Sequence, residues 1–182
     1  MKPIRIDEKI TIAKYMFGRW SDALRADSGI SGQLQELAAA IEASAGASFR
    51  SGIAQVCKRC EQEEGGSCCG AGIEDRYTPE LLVINLLLGV TPPESRHSAK
   101  SCHFLRERGC ILRARDIICV NYLCARLQKI IPPEKLFQLQ EANGSEMELL
   151  FLLHNRIRNF IRQKTNEMPR PPHDREARGR LL

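Results

Sequence analysis

Residues 78–89 read TPELLVINLLLG. Thr78 is a good helix N-cap, Pro79 suits the first helical position, and Glu80 places an acid where the helix dipole welcomes one. The run LLVINLLL therefore continues as a helix up to Gly89, and a helix this well punctuated sets the class of the fold as mainly α. On its C-terminal side follows TPPESRHSAK (91–100), a polar connection with two prolines. Cysteines lie on either side of this block, in one group before it and another after it.

Toward the N-terminus the pattern stays helical. Ile10, Ala13, Phe17, Trp20 and Leu24 fall on helical spacing after Asp7, an expected N-cap, so residues 8–26 form a first amphipathic helix, with Ser28 and Gly29 ending it. Ser31 is expected to cap a second helix with an apolar stripe of Leu34, Leu37, Ala38 and Ile41, closed by the small-residue run ASAGAS (43–48). A short third helix leads into Cys57. Toward the C-terminus, Pro132 and Pro133 precede a helix over about 134–142. Asn143 and Gly144 offer a stop, and Ser145 with Glu148 forms a capping box for a last helix to about Gln163. Leu149, Leu153, Ile157, Phe160 and Ile161 share one side of that helix, which should pack against the N-terminal ones. The tail MPRPPHDREARGRLL is charged and proline-rich, as disordered segments are.

The expected organisation is N-terminal helices over 1–50, a cysteine-cluster region over 51–128, C-terminal helices over 129–165 and a disordered tail over 166–182. The picture is a small helical bundle carrying irregular cysteine-rich loops that bind metal. The stretch from Cys57 to Gly70, rich in glycine, cysteine and charge and without periodicity, reads as a binding loop.

Composition narrows the function. A net charge of +5, from 27 basic and 22 acidic residues, and 5% aromatics argue against nucleic acid as a partner. The first twenty residues hold no apolar secretory core, so the cytoplasm is the expected compartment. The apolar runs at 81–90 and 149–153 fall short of the roughly 18 to 20 residues that span a bilayer, so no membrane partner is expected. In a reducing compartment, thiolate–metal bonds persist where disulfides do not.

The eight cysteines are Cys57, Cys60, Cys68, Cys69, Cys102, Cys110, Cys119 and Cys124, and none lies outside this span. The two-residue gap of Cys57-Lys-Arg-Cys60 lets both sulfurs reach one metal. The adjacent Cys68 and Cys69 cannot easily share one ion, because neighbouring side chains in extended chain point apart. They can serve two sites. Tetrahedral zinc and a four-iron cluster each take four ligands, so eight cysteines allow two closed sites of either kind. Lys58, Arg59, Arg106, Arg108, Arg113, Arg115 and Arg126 form a group of cations able to offset thiolate charge. His103 is a candidate ligand with less need to serve, and Tyr122, between the last two cysteines, is read as an aromatic wedge or a hydroxyl donor to sulfur. Glu61, Glu63 and Glu64 read as solvating the first loop.

This cysteine order resembles that of the bacterial YkgJ-like, or CxxCxxCC, cysteine-cluster family of zinc- or iron-chelating proteins. The resemblance covers roughly residues 54–126. It rests on Cys57-x-x-Cys60, the Cys68-Cys69 doublet, Thr78-Pro79-Glu80, Cys102-His103-Phe104-Leu105, Gly109-Cys110-Ile111-Leu112 and Cys119-x-x-Tyr122-x-Cys124. The first loop, EQEEGGS, is seven residues long here, where the family usually has two, and Asp116 follows Arg115 where the family often has proline. The resemblance implies metal chelation without naming a reaction. The expected function is a cysteine-ligated metal protein, iron–sulfur by preference, in a redox or metal-handling role. The alternative is a structural zinc module that supports a protein-partner surface. Whether the chain is an enzyme stays open, and neither a Walker loop nor a dinucleotide fingerprint is present.

Overall fold

Asp27 is the single residue between the first two helices of the computed structural model, which describes residues 4–63 and 68–167 and is mainly helical. Its N–H bonds Ala23 O at the end of α1 (Ile6–Ala26), and its carboxylate accepts from Ile30 N–H at 2.9 Å at the start of α2 (Ser28–Arg50). Ser28, Gly29 and Ser31, expected as a stop and a cap, are thus the first turn of α2. Asp27 caps as well as serine does and sits one turn earlier. Likewise α1 starts at Ile6 with Arg5 as its N-cap, leaving Asp7 and Glu8 as first-turn acids. The predicted stripe is present: Ile10, Ala13 and Leu24 are buried, and Phe17 and Trp20 are half-buried against the core.

The run ASAGAS does not close α2, which continues to Arg50. Ser44 and Ala47 are buried in it, on the helix that α7 (Pro133–Glu167) packs along. Small side chains there let two helices approach closely.

The expected break at Asn143-Gly144 is absent, because α7 is one continuous helix. Its buried residues are Leu139, Asn143, Glu146, Leu150, Leu153, Ile157 and Ile161, spaced by three or four. Asn143 is a rung of that stripe, and its Nδ2 donates to Val120 O at 2.9 Å. Glu146 is the next rung and meets the Ser44 hydroxyl. Tertiary partners therefore satisfy the side chains whose local preference is to end the helix.

The helix foreseen at residue 78 is α4 (Pro79–Leu87). The Thr78 hydroxyl caps it, accepting from Leu81 N–H at 3.2 Å. It packs on α1, and Leu81, Leu82, Val83, Ile84 and Leu87 are buried. Asn85, also buried, holds the next segment to it: its Oδ1 accepts from Arg113 N–H (3.0 Å) and Ala114 N–H (3.1 Å), and its Nδ2 donates to Leu81 O (3.0 Å) and Ala114 O (2.8 Å). The smaller elements are α3 (Ile53–Gln62), a 3₁₀ turn (Ile73–Arg76), a hairpin of β1 (Leu105–Arg106) and β2 (Gly109–Cys110), α5 (Ile117–Asn121) and α6 (Ala125–Ile130). Among the described residues no helix is long and apolar enough to cross a membrane. The expected disordered tail lies outside the described residues from 168 on, and its first two residues complete α7.

Two predictions follow from α7. A Cβ on Gly144 would meet no described atom within 4 Å, so Gly144→Ala in an unbroken helix should stabilise the protein by about 1 kcal/mol in urea unfolding. A loss of stability would mean that the helix breaks there. Glu146 gives the second. The Ser44 hydroxyl has one hydrogen but faces both Ile41 O, at 3.1 Å, and Glu146 Oε2. A carbonyl can only accept, so both bonds form together only if Glu146 carries a proton. Burial raises the Glu146 carboxyl, with Ser44 and Arg115 opposing. Among the described residues its Oε1 has no hydrogen-bond partner. With the folded pKa above the unfolded value of about 4.3, the native state holds the proton longer. This contribution is full below the unfolded pKa and is lost as pH rises toward the folded one. Unfolding free energies measured across this window should show that decline in the wild type and not in Glu146→Gln. Equal slopes would reject a protonated Glu146.

Candidate metal centre

Cys57 and Cys60 stand on a helix, where a loop from Cys57 to Gly70 was expected. Gly52, at φ 81°, turns the chain out of α2, and α3 then runs to Gln62, closed by Glu63 N–H on Arg59 O at 2.9 Å. Residues three apart on a helix are neighbours on one face, so the C-x-x-C pair keeps a common direction. Cys68 and Cys69 lie in a turn beyond, and residues 64–67 between are outside the described set. Cys69 O accepts from Cys102 N–H at 2.7 Å, Gly70 bridges Ser101, and Ala71 N–H bonds Lys100 O at 2.9 Å. This short ladder joins the doublet to the second cysteine group.

The segment carrying Cys102 is braced from below. Arg96 pairs with buried Glu74 and donates to Ser101 O at 2.6 Å. Burial acts to raise the Glu74 carboxyl, but hydrogen bonds from its own N–H, Arg96 and Gly72 N–H outweigh it and leave it below its ordinary value. Leu105 N–H bonds Cys102 O at 3.0 Å, and the hairpin sets Leu105 opposite Cys110. Cys119 is on α5, capped by the Asp116 side chain, and Cys124 is the N-cap of α6.

The thiols influence one another across these elements. Cys57 is pushed up to about 11, first by desolvation and then by repulsion from Cys69, Cys68, Cys124 and Cys60. Cys68 is raised by desolvation and by Cys124 and Cys60. Buried Cys102 is pushed up to about 12 by desolvation, with Glu74, Cys110 and Cys119 adding to it. Cys119 is pushed up to about 11 by desolvation, with Cys110, Asp116 and Cys69 adding. All eight are free thiols. As placed, no three Cys, His, Asp or Glu side chains among the described residues are gathered tightly enough to hold one metal ion. The thiols act on one another electrostatically, and the donor set is soft sulfur throughout, the type that zinc and iron–sulfur centres take.

Tyr77 is the residue sequence reading missed. It is 1% exposed, its ring meets Phe104 edge-on at 4.8 Å, and its hydroxyl accepts from Asp116 N–H at 3.2 Å and acts on the Cys119 thiol to lower its pKa. Burial raises its pKa, and Cys110 and Cys119 add to the rise. Tyr122, singled out for its place between two cysteines, is 55% exposed. His103 is buried with its ring against Phe104, and its Nε2 donates to Pro93 O at 3.0 Å, so that nitrogen is already engaged. Of the cations, Arg115 reaches Cys110 and favours its thiolate. Arg106 holds the carbonyls of Ser95, His103 and Leu105, and Arg113 pairs with Glu42 at 3.2 Å. Glu63 is exposed, as a solvating residue would be, and Glu64 is outside the described residues. No protein-family model, curated protein or solved structure matches this chain.

Tyr77→Phe should remove the donor to Cys119 while keeping the packed ring. The Cys119 thiol then rises further in pKa, visible as an upward-shifted pH–rate profile of alkylation at its peptide, with about 1 kcal/mol of stability lost. An unshifted profile would show that the hydroxyl does not act on that sulfur.

Proposed function

We propose that this chain is a cysteine-ligated metal protein, with an iron–sulfur centre before zinc, serving a redox or metal-handling role. The observation that carries the reading is the mutual influence of thiols drawn from α3, the doublet, the hairpin, α5 and the start of α6. This influence of thiols far apart in the chain on one another supports the reading. Near neutral pH the raised pKa values of Cys57, Cys102 and Cys119 keep these thiols protonated and uncharged, and a cation among the sulfurs would instead favour their thiolate forms. Cys57, Cys60, Cys68, Cys69, Cys102, Cys110, Cys119 and Cys124 would hold the metal. The raised pKa values of Cys57, Cys68, Cys102, Cys110 and Cys119 mean that metal binding would release protons and weaken as pH falls. The Tyr77 hydroxyl would hydrogen-bond a ligand sulfur, which lowers electron density there and tunes a redox centre. The resemblance to the YkgJ-like family agrees with this reading.

A second reading, the structural zinc module, draws on Ile117, Tyr122 and Ile130, large side chains exposed on α5, the turn after it and the end of α6, the elements that carry the last two cysteines. There the metal would contribute folding free energy and the apolar residues a partner surface.

The two readings separate on colour. Protein purified without oxygen should contain iron and sulfide in stoichiometric amount, with broad visible absorbance. A colourless protein holding zinc that unfolds on chelation would favour the structural module. Protein with no bound metal that takes none up from anaerobic zinc or iron and sulfide would overturn both.

A further inference from the structure

We infer that the outward face of α7 is a docking surface for a second copy of this chain, laid antiparallel along it with the two-fold axis between Phe151 and Leu152.

The buried rungs of α7 run from Leu139 to Ile161 in steps of three or four residues. At about 100° per residue, the side of the helix opposite that stripe carries Glu141, Glu148, Phe151, Leu152, Asn155 and Arg162. Phe151, 60% exposed, and Leu152, 43% exposed, stand next to each other at the middle of this face. Phe137, two seven-residue steps before Phe151, is exposed on the same side. The leucines and isoleucines of the inner stripe already fill the core, so these side chains are not needed there. An apolar centre with charged ends is the anatomy of an interface.

Charge decides what covers it. Glu141 and Glu148 precede the apolar centre, whereas Arg158 and Arg162 follow it. Among the described residues Glu141, Glu148 and Arg162 have no ion-pair partner. The positions three and four residues away from each on its own helix hold no opposite charge either, so α7 cannot neutralise them itself. An antiparallel second copy does. With the axis between Phe151 and Leu152, Phe151 meets the partner's Leu152, Glu148 meets the partner's Asn155, and Glu141 meets the partner's Arg162. The partner's Arg158 follows three residues beyond its Asn155, on the side of Glu148. Every contact occurs twice, as a self-complementary two-fold interface requires. A parallel copy would instead set acid against acid and arginine against arginine. One helix per partner gives a small contact, so the dimer is a reversible one.

Sedimentation equilibrium of the full chain over a range of concentrations and salt tests the surface. The wild type should pass from monomer to dimer, and added salt should weaken the dimer by screening its ion pairs. Phe151→Ser, at an exposed position, should raise the dimer dissociation constant about tenfold while circular dichroism shows the helices retained. Glu141→Arg and Arg162→Glu should each weaken the dimer, and Glu141→Arg/Arg162→Glu should restore it. The two positions are about 30 Å apart along one helix, so the restored pair forms only between copies. A wild type that stays monomeric throughout would overturn the inference, as would a dimer indifferent to Phe151→Ser. Failure of the double variant to recover would overturn the antiparallel seating.

Discussion

A buried side-chain amide joins the helical part of this protein to its cysteine-bearing part. Asn85 sits in α4 among leucines, valine and isoleucine, where an unpaired amide would cost about 1 to 3 kcal/mol. Its oxygen and nitrogen are instead satisfied by the backbone at 113–114 and by Leu81 O. The bonds work in both directions. They keep α4 buried against α1, and they fix the chain between Cys110 and Cys119 at one position. Hairpin and α5 are then oriented relative to the core, and Tyr77, at the entry to α4, finds Cys119 within reach. An apolar residue at 85 would pack as well but would leave the 113–114 backbone without partners.

The bundle supports this arrangement through helices of very different lengths. α2 and α7 form the long pair, and α1 with α4 covers their other side. The polar rungs Asn143 and Glu146 interrupt the apolar stripe of α7 where α5 and Ser44 lie opposite. Packing is thereby traded for direction, since a hydrogen bond fixes where two elements meet more tightly than apolar contact does.

What the sequence disclosed follows a physical line. α4 was legible because its signals are local and agree: Thr78 caps, Pro79 starts, and the apolar run fills the helix. The apolar spacing of α1, α2 and the second half of α7 was legible for the same reason. Asn143-Gly144 misled because its stop signal is local whereas Asn143's partner, Val120, and the Ser44 that meets Glu146 on the next rung lie far away in the chain. Asp27 was overlooked in favour of serines that are equally good caps. The helix at Cys57 and Cys60 was foreseen only up to Cys57, although Ile53, Val56 and Cys60 fall on helical spacing and are half-buried, because the glycine-rich stretch that follows drew the loop reading back to Cys57. At the site, the cysteine inventory could be read directly, but their grouping could not, because it depends on a hairpin and a bridge that carry no periodic signature. Tyr122 drew attention by being next to cysteines in sequence, and Tyr77 turned out to be next to one in space. A tyrosine directly before a capped buried helix is the signal that could have found it.

The proximity of Cys57 and Cys124 has a consequence for how the protein moves. The chain leaves the helical scaffold at α3 and returns at α6 in the same neighbourhood, so everything between is an excursion with a common entrance and exit. α4 pins the middle of that excursion against α1. One long loop has thus become two shorter arcs, one on each side of α4, and each is less costly to close than the whole. The arcs are laced to each other by Cys69 O–Cys102 N–H, Arg96–Glu74 and Asp116 N–H–Tyr77 hydroxyl, so opening one must break bonds to the other and the cysteine region breathes as one unit.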